Sequence, residues 1–313
     1  MKEKAHDNYN PEGYVRPEDS AYSKSQNRVA ATLFILLSLL VFLPILLVFI
    51  VSVSSQDSVT AAGYSFFPRE LSLDAYRYIF RSGGYMARAF FNSVFITICG
   101  TSLGLFLMCP LAYAISREEF HFRKPLLIFL MIPMIFSGGL VASYMVNTQI
   151  LHLKNDYFAL ILPGLCSTWY IMILRNYFKS SVPEALIESA KLDGGRHIQI
   201  FRLIVLPIAK PVVMTVAVFQ MFAYWNSWYP SLLYLDSNHT ELYPLQYVLV
   251  NMEKSIEAIT KNAQYLSGMT GYTPPSVTIR MAMVVVVILP VMILFPFFRR
   301  FLKTGMTVGA VKE

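Results

Sequence analysis

Apolar residues in this chain come in long unbroken runs, not in the alternating or one-faced patterns of soluble elements. Six stretches carry no charged residue and reach the roughly 18 residues that a helix needs to cross a hydrocarbon core. They are Val29–Val53, Ala89–Ser116, Pro125–Ile150, Tyr157–Leu174, Pro211–Leu235 and Met281–Phe298. Backbone N–H and C=O groups in lipid must bond within their own segment, and runs of this length are too long for barrel strands. All six are therefore predicted as transmembrane helices of an all-α integral membrane protein. The first run is longer than the apolar part of a signal peptide and follows a polar stretch, so it reads as a span and not a cleaved leader.

Between the runs the chain is polar. Residues 1–28 hold Pro11, Gly13 and Pro17 without an apolar period and are expected to form a mobile tail. Residues 54–88 and 236–280 are the longer loops of one side. The second of them contains a short apolar stretch, Leu242–Val250, and a Gly/Pro-rich end, Gly268–Pro275. The expected organisation is a tail over 1–28, a six-helix domain over 29–302 and a second tail over 303–313.

Charge sets the orientation. With the N-terminus inside, the inner segments hold 18 of the 26 Lys and Arg residues and the outer segments hold 8. This bias predicts that both termini are cytoplasmic. It also accounts for the net charge of +7 without nucleic acid as a partner, leaving membrane lipid as the surface the basic residues meet. Only 14% of the 313 residues are charged and 55% are hydrophobic, which excludes an ordinary soluble domain. Cys99, Cys109 and Cys166 all lie in apolar runs and read as small packing residues.

Several chemistries lack their residues. There is no GxxxxGK[ST] phosphate loop, no HExxH, no paired CxxC and no GxSxG, so neither ATP binding nor an enzyme activity is expected on this chain. The five histidines are scattered without metal-ligand spacing, and no metal site is expected. No Asp or Glu falls within the six apolar cores, so the proton relay of many secondary transporters is missing.

The most informative polar segment is the inner stretch over residues 180–208. Ser181 and Glu184 have capping-box spacing, and Pro183 falls in the first turn, where its missing N–H costs little. Ala185, Ser189 and Leu192 recur at helical spacing and give one face of small and apolar groups. Asp193-Gly194-Gly195 ends the helix, because glycine adopts the left-handed conformation of a C-cap. A second helix is expected from about Arg196 to Leu206, with Ile198, Phe201 and Val205 on one face. Such a pair is either an amphipathic loop lying on the headgroups or a docking surface, and small residues favour the close approach of another backbone.

The stretch ESAKLDGGRHIQIFRLIVLP resembles the EAA loop of binding-protein-dependent ABC importers. Glu188, Ala190, Asp193, Gly194, Ile204, Leu206 and Pro207 match that pattern, and Ser189 replaces its middle alanine. Asn92-Ser93 and LAYAISR (Leu111–Arg117) are similar to maltose-type sugar permeases. FSGG (136–139), WNSW (225–228), PLQ (244–246) and GMTVGAVK (305–312) resemble a subgroup that imports complex oligosaccharides. The resemblance runs from about Asn92 to the C-terminus. It implies the type I ABC importer permease fold and a multi-pass subunit of a bacterial cell membrane. It further implies a second homologous permease as heterodimer partner, two ATPase subunits that carry ATP and Mg, and an extracytoplasmic solute-binding protein delivering an oligosaccharide.

By the same resemblance, Glu184, Glu188, Ser189, Ala190, Asp193, Gly194, Gly195 and Pro207 would couple to the ATPase, with Glu188 as polar anchor. Gly305, Thr307 and Gly309 in the tail would contact it as well. Candidates for the translocation cavity or its gate are Asn92, Tyr224, Trp225, Asn226 and Trp228, which combine ring faces with hydrogen-bonding groups. An aromatic belt at the outer interface is the other reading, and it is preferred for Tyr229 and Tyr234. Gly100, Gly104, Gly138 and Gly139 are expected at close helix contacts. The alternatives in function are a permease for another solute class, a secondary transporter without an ATPase, and a membrane scaffold.

Overall fold

The computed structural model describes residues 24–81, 84–266 and 277–307, and these are mostly helical. In chain order the helices are α1 (Lys24–Ser52), α2 (Gln56–Ala62), α3 (Asp74–Arg81), α4 (Gly84–Ser116), α5 (Arg123–Ile135), α6 (Gly139–Met145), α7 (Tyr157–Ile161), α8 (Thr168–Ser181), α9 (Glu184–Leu192), α10 (His197–Ile200), α11 (Leu206–Ile208), α12 (Lys210–Trp225), α13 (Tyr229–Tyr234), α14 (Leu245–Leu266) and α15 (Val277–Thr307). Of the earlier expectations, Gly309, residues 1–23 and the Gly/Pro-rich stretch over 268–275 lie outside the described residues.

Among the described residues, three helices are long and apolar enough to cross a membrane unaided: α1, α4 and the apolar part of α15. Two bent helix pairs pass the same length and composition test only when each is taken as one broken span. The first joins residues 157–164 to 168–181 at 48°, and the second joins 197–208 to 210–225 at 80°. The third apolar run is interrupted. Its first helix, α5, has 13 residues, about 20 Å at the α-helical rise, and stops at Phe136-Ser137-Gly138. Pro133 removes a backbone donor just before the break, and Gly139 takes φ +78° just after it. Gly138 and Gly139 are therefore break residues, not the helix contacts expected of them.

Gly100 and Gly104 do lie at a contact. A Cβ on Gly100 would come within 2.4 Å of the Tyr224 ring, and one on Gly104 within 2.6 Å of the Leu165 carbonyl oxygen. This is the crossing point of α4 with α12 and with the chain just before α8, at the centre of the packing of α4 against α12 and α8. Two apolar cores lie on either side of it. One gathers Met108, Ala112, Ile115, Ile171, Leu174 and Phe178 near the 180–208 loop. The other gathers Ile96, Tyr224, Leu235, Leu245, Val248 and Val287 at the opposite end. The stretch Leu242–Val250, expected to be loop, enters α14, whose Leu245, Tyr247 and Val248 are buried in that second core. Large apolar side chains of α1 and α5 face outward along their length, as a lipid-covered surface requires.

Candidate functional site

The loop at one end of the molecule is built as two helices joined by a glycine turn. The expected capping box is absent: Ser181 is the last residue of α8, and Pro183 with extended ψ 136° precedes α9, whose first residue is Glu184. Pro183 cannot continue α8 and presets the φ of the next helix. The C-terminus of α9 follows expectation. Gly194 takes φ +82°, its N–H donates to the Lys191 carbonyl at 2.9 Å, and the Gly195 N–H donates to that of Ala190 at 2.9 Å. This is the paired closure of a Schellman motif, with glycine at the left-handed position. Gly195 is constrained too, since a Cβ there would meet the Ala190 oxygen at 2.6 Å.

Helix α9 anchors through Ile187, 2% exposed, and half-buried Ala190. Its other face is open. Ala185, Glu188, Ser189 and Leu192 are exposed, as are Glu184, Asp193 and Pro207. Glu184 and Glu188 have no ion pair or hydrogen bond among the described residues, and the Ser189 hydroxyl only donates to the Leu186 carbonyl of its own helix. The second helix differs from expectation. Ile200 and Val205 are buried and Phe201 and Ile204 half-buried, whereas Ile198 is exposed. A π turn over Phe201–Val205 shifts the facing of the side chains relative to a regular helix and precedes Pro207, which has no N–H to donate.

The neighbouring turn between α4 and α5 supplies carboxylates to this loop. Glu118 accepts from Lys179 at 3.1 Å and pairs with Arg123 at 3.5 Å, and Glu119 pairs with Lys191 of α9. The Lys179 hydrogen bond holds the Glu118 carboxyl below the usual range, and the Lys191 hydrogen bond does the same for Glu119. Arg117, at the end of LAYAISR, is buried. Its Nη2 donates to the Phe178 carbonyl at 2.7 Å and its Nε to Ser116 Oγ at 2.9 Å.

At the opposite end, three of the five cavity candidates are committed to the fold. Asn92 is 5% exposed; its Nδ2 donates to the carbonyls of Glu241 at 2.7 Å and Tyr243 at 3.1 Å, and its Oδ1 accepts from Tyr157 at 2.8 Å. Tyr224 donates to the Ile161 carbonyl at 2.7 Å, and Trp225 Nε1 to that of Val287 at 3.1 Å. Asn226 and Trp228 remain accessible, in the break between α12 and α13. Asn226 Oδ1 accepts from Gln246 Nε2 at 3.2 Å, and the Lys254 ammonium lies 5.9 Å from the Trp228 ring centre. WNSW and PLQ, distant in sequence, thus form one ledge. Tyr234 is not a belt residue: it is buried, stacked at 6.1 Å on Tyr144, and accepts from Asn147 at 2.8 Å. A separate cavity of about 720 Å3 lies among Phe90, Phe91, Trp225, Leu289 and Pro290. Its walls are almost wholly apolar, with the Thr97 hydroxyl as the single hydroxyl among the described lining residues, which suits a sugar poorly.

No protein-family model matches the chain. Individual proteins do. It is 35% identical to the polygalacturonan/rhamnogalacturonan transport system permease protein YtcP of Bacillus subtilis, over 89% of this chain and 95% of that one. It is 27% identical to the arabinooligosaccharides transport system permease protein AraQ of the same organism, over 95% and 98%. Among solved structures it superposes with a TM-score of 0.77, at 26% identity and over 90% and 99% of the two chains, on a bacterial ABC transporter involved in import of the acidic polysaccharide alginate. The chain belongs to the permease subunits of ABC transport systems.

As such a permease, it is a transport subunit of the bacterial cell membrane and has the ABC importer permease fold. Sequence reasoning passed over Glu118 and Glu119 near the loop and Lys254 at the ledge, and held Arg117, Lys191 and Gln246 only as members of quoted motifs, with no role of their own. Only the 3.6-residue periods within each segment are visible in sequence, so partners contributed by another helix left no signal. Gly305 and Thr307 belong to the end of α15, which runs on beyond the expected 302 boundary as helix.

Proposed function

We propose that this permease is the membrane-spanning subunit of a binding-protein-dependent importer of oligosaccharides, working by alternating access with six spans and both termini cytoplasmic. The membrane domain covers 29–302, with α1 and α15 continuing as helix past both bounds, and the 180–208 loop faces the cytoplasm. A second homologous permease completes the pathway, two ATPase subunits carry ATP and Mg, and an extracytoplasmic binding protein delivers cargo. The observation that carries this reading is α9: a short helix with a rigid glycine-turned end, anchored by Ile187 and leaving Glu184, Glu188, Ser189 and Leu192 open to another protein. The closing motion of the ATPases would move α9, and rigid-body switching between two packings would carry that motion to the cavity.

The ledge favours a cargo chemistry. An indole face suits the C–H face of a sugar, Asn226 and Gln246 offer amide groups, and Lys254, without a carboxylate partner among the described residues, suits an acid group. By name, YtcP belongs to a polygalacturonan/rhamnogalacturonan transport system and the solved relative to import of the acidic polysaccharide alginate. We therefore favour oligosaccharides containing uronate for this permease. The tail Gly305, Thr307 and Gly309 is assigned to ATPase contact on family resemblance, and deletion of residues 306–313 should lower coupled ATPase activity.

The test is purification of the permease from its native membrane with its associated proteins, then uptake in reconstituted vesicles. A second permease, an ATPase and a solute-binding protein should co-purify, with uptake dependent on ATP. Uptake driven by an ion gradient and indifferent to ATP would make it a secondary transporter, and no flux at all would make it a scaffold.

A further inference from the structure

Helix α9 has nine residues and one fully buried side chain, Ile187. A helix so short, held by so little, would tilt under a load applied at its open face. The turn between α4 and α5 resists that tilt. Glu119 of the turn grips Lys191, in the last turn of α9, and Glu118 joins Lys179, near the end of α8, to Arg123 at the start of α5. Behind these pairs sits Arg117, 6% exposed and with no carboxylate in contact among the described residues. Burying a guanidinium costs free energy unless its donors are matched. Here they are matched by the Phe178 carbonyl, one of the last four of α8 and so without a partner within its own helix, and by Ser116 Oγ at the end of α4. The Tyr113 ring covers the charge, its centre 5.6 Å from the guanidinium carbon. In the other direction, Arg175 of α8 reaches the Ile115 carbonyl of α4 at 3.5 Å. Each helix terminus thus meets a cation from its neighbour, which also suits the negative end of a helix dipole.

We propose that Arg117, Glu118 and Glu119 strap the ends of α4 and α8 to α9, so that these three helices shift as one body when α9 is pushed. They are positioning residues: they touch neither cargo nor nucleotide and act through Lys191, Lys179 and the Phe178 carbonyl. The strap rests on the proposed docking of α9 to an ATPase. It explains why the α4–α5 turn carries two adjacent carboxylates beside a basic loop. It also gives α4, which makes the central crossing at Gly100 and Gly104, a connection to α9 that does not pass along the chain.

The test uses the complete importer in proteoliposomes, with the variants Glu119→Lys, Lys191→Glu and the two combined. Both positions are partly exposed, so folding should survive each change. Two quantities are read: solute transported per ATP hydrolysed, and the mobility of a nitroxide attached at the exposed position 186 of α9. Each single variant should lower the transport ratio about threefold, on the scale one partly exposed ion pair can supply, and loosen the label. The combined swap should restore both. Arg117→Lys, which keeps the charge, should retain more of the ratio than Arg117→Met. A wild-type complex whose ATPase is stimulated by the binding protein, together with a swap no better than the single changes, overturns the strap alone. A wild-type complex without such stimulation overturns the docking reading and the strap with it.

Discussion

The two ends of this permease use polar side chains in opposite ways. At the end opposite the 180–208 loop, Asn92, Tyr224 and Trp225 are buried, and each places its polar atoms on a backbone carbonyl or a neighbouring hydroxyl. In α9, Glu184 and Glu188 are exposed and have no partner among the described residues. A buried polar group is tolerated because its partners are supplied internally, so it has little left for a ligand. An exposed helix face with a rigid end keeps its groups for a partner that binds from outside. Family resemblance placed the α9 set and side-chain chemistry the cavity set among functional residues, and the geometry distinguishes scaffold from contact surface.

That contrast is broken most directly at Asn92. Asn92→Leu removes three hydrogen bonds and leaves the Glu241 and Tyr243 carbonyls and the Tyr157 hydroxyl short of partners. A loss of about 3 kcal/mol in stability is expected, read as a lower melting temperature in detergent. Normal stability with defective uptake would instead return Asn92 to the cavity. Gly194→Val comes next. Its φ of +82° excludes a β-branched residue at a cost of about 1–2 kcal/mol, and the displaced C-cap should uncouple ATP hydrolysis from uptake while the permease still inserts.

Glu188→Ala and Asn226→Leu sharpen the comparison from the exposed side. Each should change stability by no more than about 0.5 kcal/mol. Glu188→Ala should reduce transport per ATP, and Asn226→Leu should reduce uptake at unchanged expression. A melting temperature that falls in either would place that residue with the scaffold. Lys254→Gln should lower the preference for acidic over neutral oligosaccharides in a competition assay. The smallest effect is that of pH. The carboxyls of Glu118 and Glu119 are held below their ordinary value of 4.5 by Lys179 and Lys191. Their pairs contribute stability above that value and lose it as pH falls through the lowered one. The melting temperature should therefore be flat down to about pH 5 and decline below it, less so in the Glu118→Gln, Glu119→Gln double variant.

Hydropathy along the chain was enough to read an all-α membrane protein and the positions of its apolar runs, because a backbone in lipid has few ways to bond itself. The glycine turn after α9 was legible as well, since left-handed backbone is a demand made within four residues. Local chemistry did not decide where a run breaks. Pro211–Leu235 looks uniform in hydropathy, yet its helix ends at Trp225, and Pro125–Ile150 breaks at its Ser-Gly-Gly. Nor did it decide which polar residues are scaffold. Asn92 meets Glu241 and Tyr243 across about 150 positions, and Arg117 meets Phe178 across 61. Such partners are brought together only when α4, α8 and α12 cross, so the fate of each polar atom belongs to the tertiary packing, whereas helix formation and chain reversal are settled by residues a few places apart.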